Sequence, residues 1–185
     1  SLGILLGFWR RSCCLLLWYG WACLFHRNNL ISNPGIPFVG WLLLANALVP
    51  LGEPFRLGKK TDSAWKMPAI LFYGAWLIAG LAYLASGIDK LGSPSWLDGS
   101  AILHLLHNPL ARDWAWREFL LALPPSVISF LTWGTLALEI GFVVLCIFHK
   151  ARMWAWMLIM SMHLGILSLV SFADLTFGMM MIHLF

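Results

Sequence analysis

The sequence predicts an all-α fold, a polytopic transmembrane helix bundle of about five spans plus two partial helices. Apolar residues make up 61% of the chain and charged residues only 11%, against roughly 25% charged in a soluble globular domain. Mean hydropathy is +0.81. The apolar residues are also divided into separate blocks bounded by charges, glycines and prolines, which reads as several spans and not as one oversized core. The 12 tryptophans suit interface belts and bundle packing, and they can equally flank an aromatic ligand such as a quinone.

The elements follow in order. Residues 1–9, SLGILLGFW, form about half a span and end at Arg10-Arg11. Residues 12–25 are apolar and lead into a polar turn, HRNNLISNPGIP, over 26–37. Residues 38–51 form a second block, short for a crossing that takes about 20 residues, and both of these blocks can be partly re-entrant. Full spans are expected at 67–87, 127–148 and 153–172. The chain closes on an apolar run, DLTFGMMMIHLF, over 174–185. Both ends look cut through a membrane helix, so residues 1–185 are expected to be one transmembrane domain from the interior of a longer protein, with an adjoining domain as a partner beside the lipid bilayer.

If the spans alternate sides, one side receives Arg10, Arg11, Arg56, Lys59, Lys60, Lys66, Lys150 and Arg152, and the other Arg27, Lys90, Arg112 and Arg117. The excess of cations makes the first side cytoplasmic. An integral, multi-pass protein with the Lys90 loop on the non-cytoplasmic side is expected. The segment from Lys90 to Pro125 carries Trp96, Trp114 and Trp116 and an amphipathic stretch over 100–110, as backbone lying at headgroup level does.

Several function classes are excluded. Twelve Lys and Arg against eight Asp and Glu give a net charge of +4 without the basic runs or aromatic interleaving that nucleic acid requires, so no nucleic-acid partner is expected. Cys13, Cys14, Cys23 and Cys146 all lie in apolar blocks without C-x-x-C spacing and read as buried small hydrophobes. His104 and His107, three apart, lack a third ligand at fitting spacing, so no metal site is expected. Phosphate-binding, nucleophile-elbow and zinc-protease motifs are absent from the sequence.

The informative residues are the polar ones at membrane depth, where burying a charge costs about 2.5–3.5 kcal/mol on insertion scales. Lys90, at the end of the 67–87 span, falls four residues after Ser86 and so shares a face with Ala75, Ala79, Ala82 and Ser86, small residues that let helices approach closely. A partly desolvated lysine there has a lowered pKa and can serve as a neutral base. The alternative is a snorkelling anchor, or a pair with Asp89 or Asp98. Glu139, His163 and Asn46 lie at similar depth in three blocks and can form a hydrogen-bonded site, or pair between helices with no chemistry. Asp174 reads as a helix cap or dipole partner for the last apolar run.

Four motifs, RNNLISNPGIPFVG, SGIDKLGSPSWLDGSA, LEIGF and MHLGI, occur in this order over nearly the whole chain. In these the chain resembles the HTTM domain, the membrane domain of vitamin K-dependent γ-glutamyl carboxylase and its bacterial relatives. The SGIDKL element, followed by Trp96 and Gly99, is the most specific part. The resemblance implies a gamma-carboxylase-like enzyme in which Lys90 is the base that deprotonates reduced vitamin K or another lipid-soluble quinol on the lumenal side. It implies ligand positioning for His163, with Glu139 shaping the site. Where the carboxylase has a histidine ahead of the block matching 38–51, this chain has Asn33 as the nearest counterpart. A non-catalytic membrane module that anchors or partners an adjoining domain is the alternative.

Overall fold

A computed structural model describes residues 2–5, 8–27, 35–50, 64–171 and 173–183. Among the described residues all regular structure is helical: α1 (Leu2–Leu5), α2 (Arg10–Arg27), α3 (Gly35–Leu48), α4 (Ala69–Leu91), α5 (Pro94–Leu97), α6 (Ala101–Leu106), α7 (Ala115–Leu121), α8 (Pro125–Ile147), α9 (His149–Leu169) and α10 (Ala173–Ile182). The one extended pairing described is an isolated antiparallel bridge between Ala111 and Val170.

Three helices, α4, α8 and α9, are long and apolar enough to cross a membrane. At 1.5 Å per residue their 23, 23 and 21 residues reach or exceed a hydrocarbon core of about 30 Å. They match the blocks expected at 67–87, 127–148 and 153–172 to within four residues at each end. The two further crossings expected are shorter: α2 has 18 residues, with Arg10, Arg11 and Arg27 at its ends, and α3 has 14, about 21 Å of helix.

The helix ends follow from local chemistry. Proline stands at the first position of α5 and of α8, where its missing N–H costs nothing and its φ is already helical. Gly92 and Ser93 close the end of α4 by donating to the Asp89 and Lys90 carbonyls at 3.1 and 3.0 Å. Phe148, extended at φ −86° and ψ 112°, caps both the end of α8 and the start of α9, so these two helices form a hairpin with a single connecting residue. Arg152 donates from Nε to the Cys146 carbonyl at 3.1 Å, placing a cation at the negative end of α8.

The chain forms two compact units, Ser1–Ala75 with Phe177–Phe185, and Trp76–Thr176. In the first, α2 and α3 run antiparallel. Buried Arg10 at the start of α2 donates to the carbonyls of Val49 and Pro50 just beyond α3, and Trp21 donates to the Ile36 carbonyl at 3.1 Å at the other end. Gly178 of α10 lies directly against the backbone of Gly35, and a side chain at 178 would collide with it.

In the second unit α8 is the central element. Gly80 and Gly87, seven residues apart on α4, bring that helix onto Val143 and Ile140 of α8. The small-residue face read from the sequence therefore holds in part: Ala79 is buried, Ala75, Ala82 and Ser86 are half-buried, and the glycines make the close approach. The three short helices α5–α7 seat on the first half of α8 around a core of Leu106, Leu120, Ile128, Leu169 and Val170. Gly99 has φ +82° and its Cα faces Ser129 so closely that a Cβ would lie 2.7 Å from the serine Cβ; only glycine fits that turn without strain. The outer faces carry exposed Leu81 and Ile88 on α4, Phe130 and Ile147 on α8, and Leu158 and Leu164 on α9, an apolar surface compatible with lipid contact.

Candidate functional site

In the second unit, polar side chains of α4 meet those of α8 and α9. On α4 the residues Tyr83, Ser86 and Lys90 are spaced by three and four and so lie on one face. Lys90, in the last turn, donates from Nζ to Ser86 Oγ at 3.0 Å and to both carboxylate oxygens of Glu139 on α8. Ser86 Oγ in turn donates to Glu139 Oε2 at 3.3 Å. The carboxylate is all but removed from solvent, with 6% of the Glu139 side chain exposed against 23% for Lys90. The Trp96 ring of α5 covers the ammonium, with Nζ 4.9 Å from the ring centroid, a cation–π distance.

Two turns from Lys90 along α4, the Tyr83 hydroxyl lies 2.6 Å from His163 Nε2 on α9. Both residues are buried. Either can donate, depending on which ring nitrogen carries the proton. Phe142 of α8 packs edge-on against the Tyr83 ring with centroids 5.0 Å apart, and Trp76 stacks on the Phe142 ring at 6.0 Å. Arg152 lies over Trp76 at 5.5 Å. These rings give the Tyr83–His163 contact apolar surroundings, in which a hydrogen bond is electrostatically stronger than in water.

The residues singled out in the sequence separate accordingly. Lys90 and Glu139 meet directly, and His163 contacts Tyr83, two turns from Lys90 along α4. Asn33 lies outside the described residues. Asn46, grouped with Glu139 and His163 on depth, instead donates to the Leu42 carbonyl of its own helix at 3.0 Å and belongs to the first unit. Asp89 is exposed, and Asp98 accepts the Ser100 N–H at 2.8 Å, so the partner of Lys90 is neither of the nearby aspartates but Glu139. Asp174 falls in the first turn of α10. His104 and His107 are exposed on α6 and its cap, and among the described residues no three His, Cys, Asp or Glu side chains converge as metal ligands. Of the cysteines Cys14 is buried, Cys13 and Cys146 are half-buried, and Cys23 is exposed, so burial does not extend to all four.

Tyr83 was not singled out from the sequence, because a tyrosine inside an apolar block reads as packing. Its spacing to Ser86 and Lys90 is the signal that marks it. Each unit also has a cavity of its own. One, of about 280 Å³, lies between α2 and α3 and is lined by Trp18, Trp21, Phe25 and Trp41 among others. The other, of about 350 Å³, lies at the end of α9.

Chemically, the Lys90–Glu139 pair sets an amine and a carboxyl group within hydrogen-bonding reach of each other, one able to donate and the other to accept. Comparison of the chain with protein-family models, with curated proteins and with solved structures gives no match.

Proposed function

We propose that the chain is a multi-pass membrane domain of the HTTM type in which Lys90 activates a quinol or another weakly acidic, lipid-soluble substrate. The observation that carries this reading is the Lys90–Ser86–Glu139 cluster at one end of α4, closed by Trp96 and backed by Tyr83 and His163. In this reading α2 and α3 add two crossings to α4, α8 and α9, the arginines at the ends of α2 reaching toward the two interfaces. Lys90 then stands on the non-cytoplasmic side, as the distribution of cations favours.

The step is a proton transfer. Lys90 first passes a proton to Glu139, leaving a neutral amine. A quinol O–H bond breaks as the amine takes that proton, and the new ammonium stays beside the quinolate oxygen and stabilises its charge. Glu139 thus tunes the base, and His163 through Tyr83 shapes the wall of the site. Reduced vitamin K is the substrate that the family resemblance implies.

A second reading is favoured by the same pair. Lys90 and Glu139 join α4 to α8 by a buried charge-assisted contact, and a clamp of this kind needs no substrate. The domain is then a non-catalytic membrane module that anchors or partners an adjoining domain.

The two readings part in one experiment. Binding of a reduced naphthoquinone to the purified chain is measured from about pH 6 to about pH 9, with the variant Lys90→Met/Glu139→Gln beside it, in which no charge is left buried. Saturable, pH-dependent binding that the folded double variant lacks supports the base. Absence of binding by either folded protein leaves the clamp and discards the quinol site.

A further inference from the structure

The segment joining α6 to α7 carries a polar feature that the Lys90 site does not use. It runs beside the end of α9: Arg112 N donates to the Leu169 carbonyl at 2.7 Å, Ser171 N donates to the Leu110 carbonyl at 2.8 Å, and Ala111 bridges to Val170. Arg112 is thereby fixed in place, and its Nε donates to the Val170 carbonyl at 3.3 Å. A cavity of about 350 Å³ opens there, lined by Arg112, Trp114, Leu167 and Ser168.

The cations of this unit's loop end are not equivalent. Lys90 faces Glu139, and Arg117 faces Asp113 and Glu118. Among the described residues no carboxylate lies within ion-pair distance of Arg112. A guanidinium has five N–H donors, and only the Nε–H of Arg112 has an acceptor among those residues. The Ser168 hydroxyl spends its proton on the Gly165 carbonyl at 2.7 Å, whereas the Trp114 indole N–H has no described acceptor. Two kinds of donor without a described protein acceptor, both on exposed side chains, therefore line one largely apolar cavity. Apolar side chains are exposed nearby in the sequence as well, Leu110 on the same segment and Trp116 and Phe119 on α7.

We infer that this cavity binds a phosphate group, and that the source is the headgroup of an anionic lipid. The forked Nη donors of Arg112 suit two phosphate oxygens at once. The Trp114 N–H supplies a third contact, while Leu167 and the exposed aromatic residues receive the glycerol and the first acyl carbons. Free inorganic phosphate presents the same oxygens without the apolar part. The site does not depend on the role of Lys90.

The test is native mass spectrometry of the whole chain in detergent, titrated with phosphatidylglycerol and with a diacylglycerol of the same acyl length. Wild type is expected to hold phosphatidylglycerol in preference to diacylglycerol. Arg112→Gln should weaken phosphatidylglycerol about tenfold, the loss of a charge-assisted contact, and Arg112→Lys should fall between, because a point charge replaces the fork. Lys150→Gln, exposed at the opposite end of α9, should change nothing. Adducts that survive millimolar inorganic phosphate support the lipid source, and adducts that it displaces support the phosphate site with free phosphate as ligand. Should Arg112→Gln fail to fold, Trp114→Phe, which keeps an aromatic ring and removes the N–H, is expected to weaken binding by roughly threefold to tenfold. Equal phosphatidylglycerol and phosphate binding by wild type and the folded variants overturns the proposal.

Discussion

Two ion pairs in the second unit look alike on the cation side and differ on the acid side. The side chains of Lys90 and Arg117 are 23% and 22% exposed. Glu139, the partner of Lys90, is 6% exposed, whereas Asp113 and Glu118, the partners of Arg117, are 92% and 63% exposed. The first pair joins residues 49 apart on separate helices, and the second joins neighbours four and one apart. It is therefore solvation of the carboxylate, and not of the cation, that sets how much each pair matters. Glu139 has little access to water, and among the described residues its side chain pairs with Lys90 and Ser86.

The largest expected effect follows from that asymmetry. Lys90→Met alone leaves a buried carboxylate without its cation and should cost about 3–5 kcal/mol of stability. Lys90→Met/Glu139→Gln should recover most of the loss, because the amide can still accept from Ser86 and no charge remains. Thermal or denaturant unfolding in detergent of the two single variants and the double variant gives the coupling directly. Additive single effects below about 1 kcal/mol would mean that the pair is no more than a surface contact, and the comparison would fail.

This coupling was the part of the site least legible in the sequence. The ends of α4, α8 and α9 could be read closely because long apolar runs bounded by Gly, Pro and charges leave few alternatives. Lys90, Glu139 and His163 stood out because charged or titratable groups are costly inside such runs. Which of them touch was not legible. The register between α4 and α8 depends on Gly80 and Gly87 meeting Val143 and Ile140, and a glycine in an apolar run looks the same whether or not a helix lies against it. For Asn46, depth along its block suggested a shared site, and its amide donates to a carbonyl one turn back on its own helix. The family resemblance named Lys90 and a histidine but carried no information on Tyr83, whose hydroxyl links His163 to the face of α4 that bears Lys90.

The exposed pair sharpens the comparison from the other side. Asp113→Asn and Glu118→Gln are each expected to cost about 0.2–1 kcal/mol, the range for exposed pairs, and the loss should shrink as salt is raised, since the Debye length falls to about 3 Å at 1 M. The Lys90–Glu139 coupling should persist at the same salt, because ions cannot enter the space between the partners. Unfolding of these variants at low and high salt separates the two pairs. Equal salt sensitivity would show that Glu139 is solvated and that the distinction drawn between them is wrong.

The smallest effect belongs to a carboxylate held by hydrogen bonds in place of a direct cation pair. Asp98, between α5 and α6, is held below its ordinary pKa first by the Ser100 hydroxyl, then by the Ser100 N–H, with a smaller contribution from His104; the N–H bond is 2.8 Å long. A carboxylate whose pKa is lower in the folded state adds stability that is fully present above its unfolded value, about 3.9 for aspartate, and is lost as pH falls through the folded value. Asp98→Asn keeps an oxygen facing Ser100 and removes the titration. Wild type and Asp98→Asn should therefore show parallel unfolding curves at neutral pH and converge only below about pH 4. Because Asp98 is exposed, the convergence should be slight. Loss of most acid sensitivity in Asp98→Asn would overturn that expectation and make the α5–α6 turn the acid-labile point of the fold.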